Sequence, residues 1–348
     1  MDNAVTITQY IGDDIAWEEY VNHQSGTSVY HKIGWRQIIA EAFGHEPIYL
    51  LAKQDDKIKG ILPLFLMQSR IFGNYLISLP FIDRAGVIAD DHETTARLCD
   101  RAIELAQEKQ VDFLELRNPG EVQHPDLATI SHKVNFILHS GSDPDFVWKK
   151  VLQKNVKNRV RIAQKNNVTI KVGSEIAFIH NFYNCYCINM KYLGTPVFPK
   201  KFFLNIHKQF SDQMIVLLAL YNDKVIGGKI VLFFKDTAYF ISQASMRQYS
   251  DYHPNNLLYW AAIEYACKNG YEYCDMGRSN IDSGPYRFKK QWGTIIQPLF
   301  WQYYLNKTDA IPKLNPTNPK FSLAINIWKR LPLVVTKIVG PLIARHIP

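Results

Sequence analysis

Two stretches of the chain carry the same order of apolar and polar positions. Residues 48–65 read IYLLAKQDDKIKGILPLF, and residues 215–232 read IVLLALYNDKVIGGKIVL. Each is an apolar run, a polar break at Asp-Lys and a second apolar run, which predicts a β-hairpin. Leu50, Leu51, Ala52, Asp56, Lys57 and Gly60 align with Leu217, Leu218, Ala219, Asp223, Lys224 and Gly227. A second pair follows: LCDRAIELAQEKQVDFLEL (98–116) and LYWAAIEYACKNGYEYCDM (258–276), in which Ala102, Ile103, Glu104 and Ala106 align with Ala262, Ile263, Glu264 and Ala266. Their apolar spacing is near 3.6, so each predicts a helix followed by a short strand. Helical patterns at 14–24 and 33–43 precede the first hairpin, and others at about 174–193 and 199–211 precede the second. The recurrence predicts a duplication of one α/β (α+β) unit. The loop formers HSGSDPD (139–145) divide the chain into domains at 1–140 and 141–305, and a proline-containing tail occupies 306–348.

A length of 348 residues agrees with two domains at about 150 residues each. With 47% hydrophobic and 21% charged residues, disordered, collagen-like and coiled-coil classes are excluded. The net charge of +8 favours anionic partners: phosphorylated substrates, nucleic acid or an acidic membrane surface. The N-terminus lacks the basic start and apolar core of a secretory signal, and no apolar run of about 18 residues predicts a spanning helix. Five cysteines without a CxxC pair fit a reducing cytoplasm. Cys185 and Cys187 are spaced poorly for zinc, and no metal is expected. A G-x-S-x-G elbow, an H-E-x-x-H pair and a Walker lysine loop are all missing.

The positive charge has an address. KKVLQKNVKNRVRIAQK (149–165) predicts one basic helix, with Leu152, Val156, Val160 and Ala163 as its docking stripe and Arg159 and Lys165 among its cations. No Asp or Glu occurs between Asp145 and Glu175. Such a face suits a pyrophosphate, an anionic glycan or an RNA backbone. In DMGRSNIDSGPYRFKKQWG (275–293) a strand is expected to end at Asp275-Met276 and a loop to follow. Ligands of open α/β sheets collect outside strand ends. Arg278 and Lys289 are therefore candidates for holding an anion, Tyr286 for positioning an acceptor, and Asp275 and Asp282 for the general base. Phe288 and Trp292 read as core. Pro254 suits the first turn of a helix, so free N–H groups are expected near Asn255 and Asn256, an anion site by construction. His253 is a further candidate base. Gly194 and Pro196 end the helix that carries Tyr192 and precedes Thr195. In 319–348 basic residues and large apolar ones alternate without an acid, and Pro332 and Pro341 limit helix length. That composition fits either an interfacial anchor or a segment packed on the protein.

Helices, hairpin, helix and strand in this order resemble the GNAT acyltransferase fold, and two in tandem resemble the FemAB group of peptidoglycan-bridge aminoacyltransferases. The resemblance rests on TSVYHKIGWRQIIAEAFGHEPIYLLA (27–52), SLPFIDRAGVIADD (78–91), KNVKNRVRIAQKN (154–166), YLGTPVFPKKFF (192–203) and DMGRSNIDSGPYRFKKQWG (275–293). The tail segment NPKFSLAINIWKRLP (318–332) is similar to that of FemAB-like proteins from exopolysaccharide and PEP-CTERM/exosortase gene neighbourhoods. The resemblance implies a cytoplasmic transferase, peripheral on the inner membrane face, that moves an acyl or aminoacyl group onto an amine of a cell-envelope or exopolysaccharide precursor. It implies acyl-CoA or aminoacyl-tRNA as donor, a precursor that can be lipid-linked, and no metal. By the same analogy, Arg159 and Lys165 line a substrate entrance, Tyr192 and Thr195 lie near a cleft, and Arg84 in the SLPFIDRAG turn lies near the acceptor. QYSDYHP lacks the glycines of an ordinary CoA loop, which counts against CoA in the second half. Two alternatives remain: a catalytically inactive membrane-binding protein of envelope assembly, and an acyl-CoA-dependent N-acetyltransferase acting on a small molecule.

Overall fold

Both hairpins form where the apolar pattern places them, in a computed structural model that describes residues 4–12, 14–69, 72–311 and 322–347. Leu50–Gln54 pairs antiparallel with Lys57–Leu62, and Met214–Tyr221 with Lys224–Phe234. The turn residues are left-handed in both copies: Asp55 and Asp56 at φ 48° and 64°, Asn222 and Asp223 at φ 47° and 59°. Two successive positive φ values match the twist of the flanking strands, and Asn and Asp tolerate them better than bulkier residues do. The register shifts once in each hairpin, after the aligned Ala52 and Ala219. A Cβ on Gly60 would lie 2.8 Å from Leu98 Cδ1, and one on Gly227 would lie 3.1 Å from Leu258 Cδ1. Leu98 and Leu258 are themselves aligned, so in each copy a glycine admits the same leucine of the helix that follows. Gln110 (φ 53°) and Gly270 (φ 81°) then turn that helix into its strand. The repeat is thus retained in turn type, bulge and helix contact.

The chain divides into two compact units, Met1–Val134 with Pro298–Leu314 and Arg345–Pro348, and Asn135–Gln297 with Asn315–Ala344. In the first unit, Thr6–Gln9, the hairpin and Ile88–Ala89 form a four-stranded sheet. Leu64–Ser69 pairs with Gly73–Ser78, which runs parallel to Phe113–Pro119. The parallel step needs a crossover, supplied by His92–Glu108. Asp91 caps that helix, accepting from Thr94 N at 2.7 Å. Leu98, Cys99, Ala102, Leu105 and Ala106 of the helix share one core with Leu50, Ala52, Leu62 and Leu114. In the second unit the order is Thr169–Gly173, Met214–Tyr221, Lys224–Phe234, Thr237–Ser245 and Tyr273–Asn280, antiparallel except for the last pair. Its crossover helix is Pro254–Lys268. Ile176–Leu193 packs on the hairpin strands, with Ile179, Phe182 and Cys187 buried.

The final strand, Ile295–Leu305, begins in the second unit and ends in the first, where Leu299–Leu305 pairs with Phe113–Pro119. Gln302 on this segment is fully buried and acts as a latch. Its Oε1 accepts from Asn118 Nδ2 (3.1 Å), Gln123 N (2.8 Å) and His124 N (3.2 Å), and its Nε2 donates to His124 O (2.7 Å). Asn118 in turn lies against Gly86, where a Cβ would come within 1.9 Å of Asn118 Oδ1. Arg117 donates to Ile82 O at 2.5 Å. The SLPFIDRAG turn that carries Arg84 is therefore held from below by Arg117 and Asn118.

Several sequence expectations change. The basic segment is not one helix: a π-type turn at Val147–Val151 ends in extended backbone at Leu152 and Gln153, and Lys154–Lys165 starts afresh. Leu152, Val156, Val160 and Ala163 are buried, so the apolar stripe docks and the break re-aims the cations. The strand expected to end at Met276 continues to Asn280, and a helix begins at Gly284, leaving a short loop. Pro341 does not end the last helix but lies inside Leu333–Ala344. Residues 312–321, which include part of the expected membrane segment, lie outside the described residues, as does Pro348.

Candidate functional site

The extended strand Tyr273–Asn280 and the helix Gly284–Lys290 together order the cationic loop of the second unit. Ser283 caps the helix, accepting from Tyr286 N at 3.2 Å. Asp282 is exposed and left-handed at φ 61°, and its carbonyl accepts from Arg287 Nη1 at 3.1 Å. Asp275 is buried, and its Oδ1 accepts from Gly277 N at 2.9 Å. Lys289 is also buried: its Nζ donates to the carbonyls of Gly277 (3.0 Å) and Arg278 (2.9 Å). The ammonium of Lys289 thus grips the last part of the strand, which carries the half-buried Arg278. Tyr286 packs edge-on against Phe136 at 5.4 Å. Trp292 is fully buried, as expected of a core residue, and Phe288 is half-buried, 5.0 Å from Tyr259. Asp275, Arg278, Tyr286 and Lys289 therefore share one strand–loop–helix element.

Sequence reasoning missed Lys229. It lies at the middle of Lys224–Phe234, 1% exposed, with Nζ 3.5 Å from the centroid of the Tyr259 ring and 4.4 Å from that of Phe240. No carboxylate pairs with it among the described residues. Burial, and then the charge of Lys289, hold its pKa well below the ordinary lysine value. The signal was present: Lys229 is the one charge between Lys224 and Lys235 in an otherwise apolar run. Strand periodicity does not reveal which face carries a cage of aromatic rings.

The depressed value fixes the sign of a pH effect. The unfolded chain takes up a proton on Lys229 that the folded chain resists, so stability is lost as pH falls below the ordinary lysine range. Of the groups that face it, the Cys274 thiol and the Tyr259 phenol are raised by burial, the thiol to about 12, and stay neutral. Lys289 is the facing charge. Lys229→Met is expected to stabilise the protein by about 2 kcal/mol near neutral pH. The gain should shrink as pH approaches about 10, which urea melts across that range would measure.

The break in the basic segment places Arg159 beside this element, where its Nη1 donates to Gln291 Oε1 at 3.2 Å. Arg159 also acts on His253: burial first, and then the Arg159 charge, lower the His253 pKa. His253 is left-handed at φ 49° and precedes Pro254, the first residue of the crossover helix. The expected cluster of free N–H groups is reduced, because Pro254 has no N–H and Asn256 N donates to His253 O at 3.1 Å. The side chains carry polarity instead. Asn255 Oδ1 accepts from Gln243 Nε2 at 2.8 Å, and the buried Nδ2 of Asn256 has no hydrogen-bond partner among the described residues. Lys165 is exposed at the far end of its helix.

The remaining candidates stand apart. Gly194 ends Ile176–Leu193 in the left-handed region at φ 80°, as its sequence context requires, and Thr195 N donates to Met190 O at 3.0 Å. A Cβ on Gly194 would lie 2.6 Å from Ile325 Cγ2, so a helix of the tail covers this turn. Tyr192 is 44% exposed, with the Arg247 guanidinium 4.5 Å from its ring centroid. Arg84 belongs to the first unit and is half-buried. All five cysteines are buried and unpaired, and no group of three or more metal-ligating side chains occurs among the described residues.

Residues 153–290 match the family described as acetyltransferase (GNAT) domain, a span that covers the basic helix, the second hairpin and the cationic strand–loop–helix. A lipid II:glycine glycyltransferase of Staphylococcus saprophyticus subsp. saprophyticus is 27% identical over 109 residues, 28% of this chain and 26% of that protein. The chain thus spans about a quarter of the length of the curated relative it matches. Among solved structures, the crystal structure of FemX superposes with a TM-score of 0.66 at 13% identity, over 84% of this chain and 96% of that one. A tandem GNAT protein from the clavulanic acid biosynthesis pathway superposes with a TM-score of 0.57 at 11% identity, over 88% and 100%. The fold of the chain is a tandem duplication of two GNAT-like domains.

Proposed function

We propose that the protein is an acyltransferase that moves an aminoacyl or other activated acyl group onto an amine of a cell-envelope precursor, with its main site in the second unit. The observation that carries this reading is the Lys289 grip on the Gly277 and Arg278 carbonyls, which fixes the backbone of the residue that carries the guanidinium, near the end of a GNAT-type strand. In this reading Arg278 binds an anionic group of the precursor, a pyrophosphate or carboxylate, which arginine can engage at two points. Arg159 extends the positive field toward the crossover-helix start, and Tyr286 offers a ring and hydroxyl to the acceptor. The amine attacks the acyl carbonyl directly, its proton passing to a base and the carrier leaving with the electron pair. Asp282 is the accessible carboxylate of the loop. Asp275 is buried against Gly277 N–H and serves the loop rather than solvent.

The likeness to a lipid II glycyltransferase favours a lipid-linked peptidoglycan precursor reached from the inner membrane face, with aminoacyl-tRNA as donor. An exopolysaccharide precursor would present the same diphosphate. Acyl-CoA is the second donor, favoured by the acetyltransferase family match. Against it stand the missing glycine loop and the Asn256 N–H already bonded to His253.

The test is mass spectrometry of lipid-linked and nucleotide-linked muropeptide precursors after incubation with the protein and either mixed aminoacyl-tRNA or acetyl-CoA. An added aminoacyl mass is the expected product. No mass gain with either donor would overturn the reading. Arg278→Ala should lower turnover about tenfold without unfolding the protein, because it removes one charged contact. Unchanged turnover would remove Arg278 from the site.

A further inference from the structure

The helices Ser322–Arg330 and Leu333–Ala344 are two-faced. Inward, the positions that meet the second unit are mostly small. Thr336, Gly340 and Ala344 recur at four-residue intervals and are buried, and Trp328 is the large exception. A Cβ on Gly340 would lie 2.9 Å from Val197 N, and Lys337 Nζ donates to Asn184 Oδ1 at 3.2 Å. Outward, the large apolar residues have the same spacing. Val334, Ile338 and Leu342 are 67%, 66% and 61% exposed, and Leu323 and Ile327 form a like pair on the shorter helix. The adjoining end of Ile176–Leu193 adds the exposed Ile188 and Leu193. So many exposed branched side chains in one region mark an interaction surface, not the scattered apolar exposure of a soluble face.

Charge identifies what covers it. No Asp or Glu follows Asp309, while Lys329 and Arg330 are exposed at the end of the shorter helix. An apolar face on a segment that carries cations and no carboxylate complements an anionic bilayer. A 12-residue helix is about 18 Å long against a hydrocarbon core of about 30 Å, so the pair lies in the interface and does not cross it.

We propose that this helix pair is a membrane-docking element whose outer face, Leu323, Ile327, Val334, Ile338 and Leu342, seats in the headgroup region of an anionic lipid surface. The small residues of the inner face hold the pair on the protein. Docking therefore needs no unfolding of the tail, and it does not depend on the transfer chemistry.

Flotation of the full chain tests this, with vesicles of phosphatidylcholine alone and with about 30% phosphatidylglycerol added. The protein should float with the anionic vesicles and at least about tenfold less with the neutral ones. The triple substitution Val334→Ser, Ile338→Ser, Leu342→Ser should lower flotation at least about tenfold with an unchanged melting temperature, since all three side chains face solvent. Lys329→Gln with Arg330→Gln should remove the anionic preference, as added salt does. Failure of the unaltered protein to float would overturn the proposal, and so would equal flotation of the triple variant. Sedimentation showing a dimer that the triple variant abolishes, without flotation, would assign the face to a second copy of the chain. Acyl transfer to a water-soluble precursor should be unaffected by these substitutions, so a failure here leaves the transferase reading standing.

Discussion

Lys289→Met is expected to lower turnover by about two orders of magnitude and to cost about 3 kcal/mol of stability. The two effects have one origin. The ammonium donates to two consecutive carbonyls, those of Gly277 and Arg278, near the end of the strand that carries the guanidinium. Methionine fills similar space but leaves both half-buried acceptors without that charged donor, and acceptors deprived of a charged partner away from bulk water are costly. The strand end then relaxes, and a displacement of about 1 Å at a reacting centre is enough for a hundredfold loss. Steady-state kinetics with urea melts separate the roles: lost stability with intact turnover would make Lys289 structural only. A double-mutant cycle adds a sharper check. Part of the strain on Lys229 is repulsion from Lys289, so the stabilisation by Lys229→Met should be smaller once Lys289 is gone.

Gln302→Leu is expected to destabilise the first unit by about 4 kcal/mol, large for a change that conserves shape. The amide oxygen of Gln302 serves three donors, two of them main-chain N–H groups of the loop at Gln123 and His124, and its nitrogen serves the His124 carbonyl. Leucine would leave these buried groups unpaired, and the site is closed to water because Gln302 and Asn118 are 0% exposed. A lowered urea midpoint would confirm the latch. An unfolding free energy within about 1 kcal/mol of the original would show that water or a rearranged loop replaces it.

What was legible in the sequence was local. Apolar runs broken at Asp-Lys marked both hairpins, although the left-handed turn pairs lie one residue earlier, at Asp55-Asp56 and Asn222-Asp223. Gly194 was readable as a helix stop. The break at Leu152 and Gln153 was not, since Lys, Gln and Leu all propagate helices and no residue there carries a local stop signal. Lys229 was hidden because its partners, Phe240 and Tyr259, come from other elements. Composition posed the tail as anchored or packed. Its two helices show a packed face and an exposed apolar one together, and only the contacts at Gly194 and Gly340 say which face is which.

The return of Leu299–Leu305 to the first unit also sets a timetable for synthesis. Phe113–Pro119 leaves the ribosome long before its partner is translated. At about 5–20 residues per second the intervening residues take roughly ten to forty seconds to add. For that time the nascent first unit carries an unpaired strand edge, while every strand of the hairpin meander in the second unit finds its neighbour within a few tens of residues. The sheet begun first is therefore closed only after the strands of the second meander have found their neighbours. A nascent chain stalled before residue 299 would expose an open edge, a substrate for chaperones and for pairing with another chain of its kind.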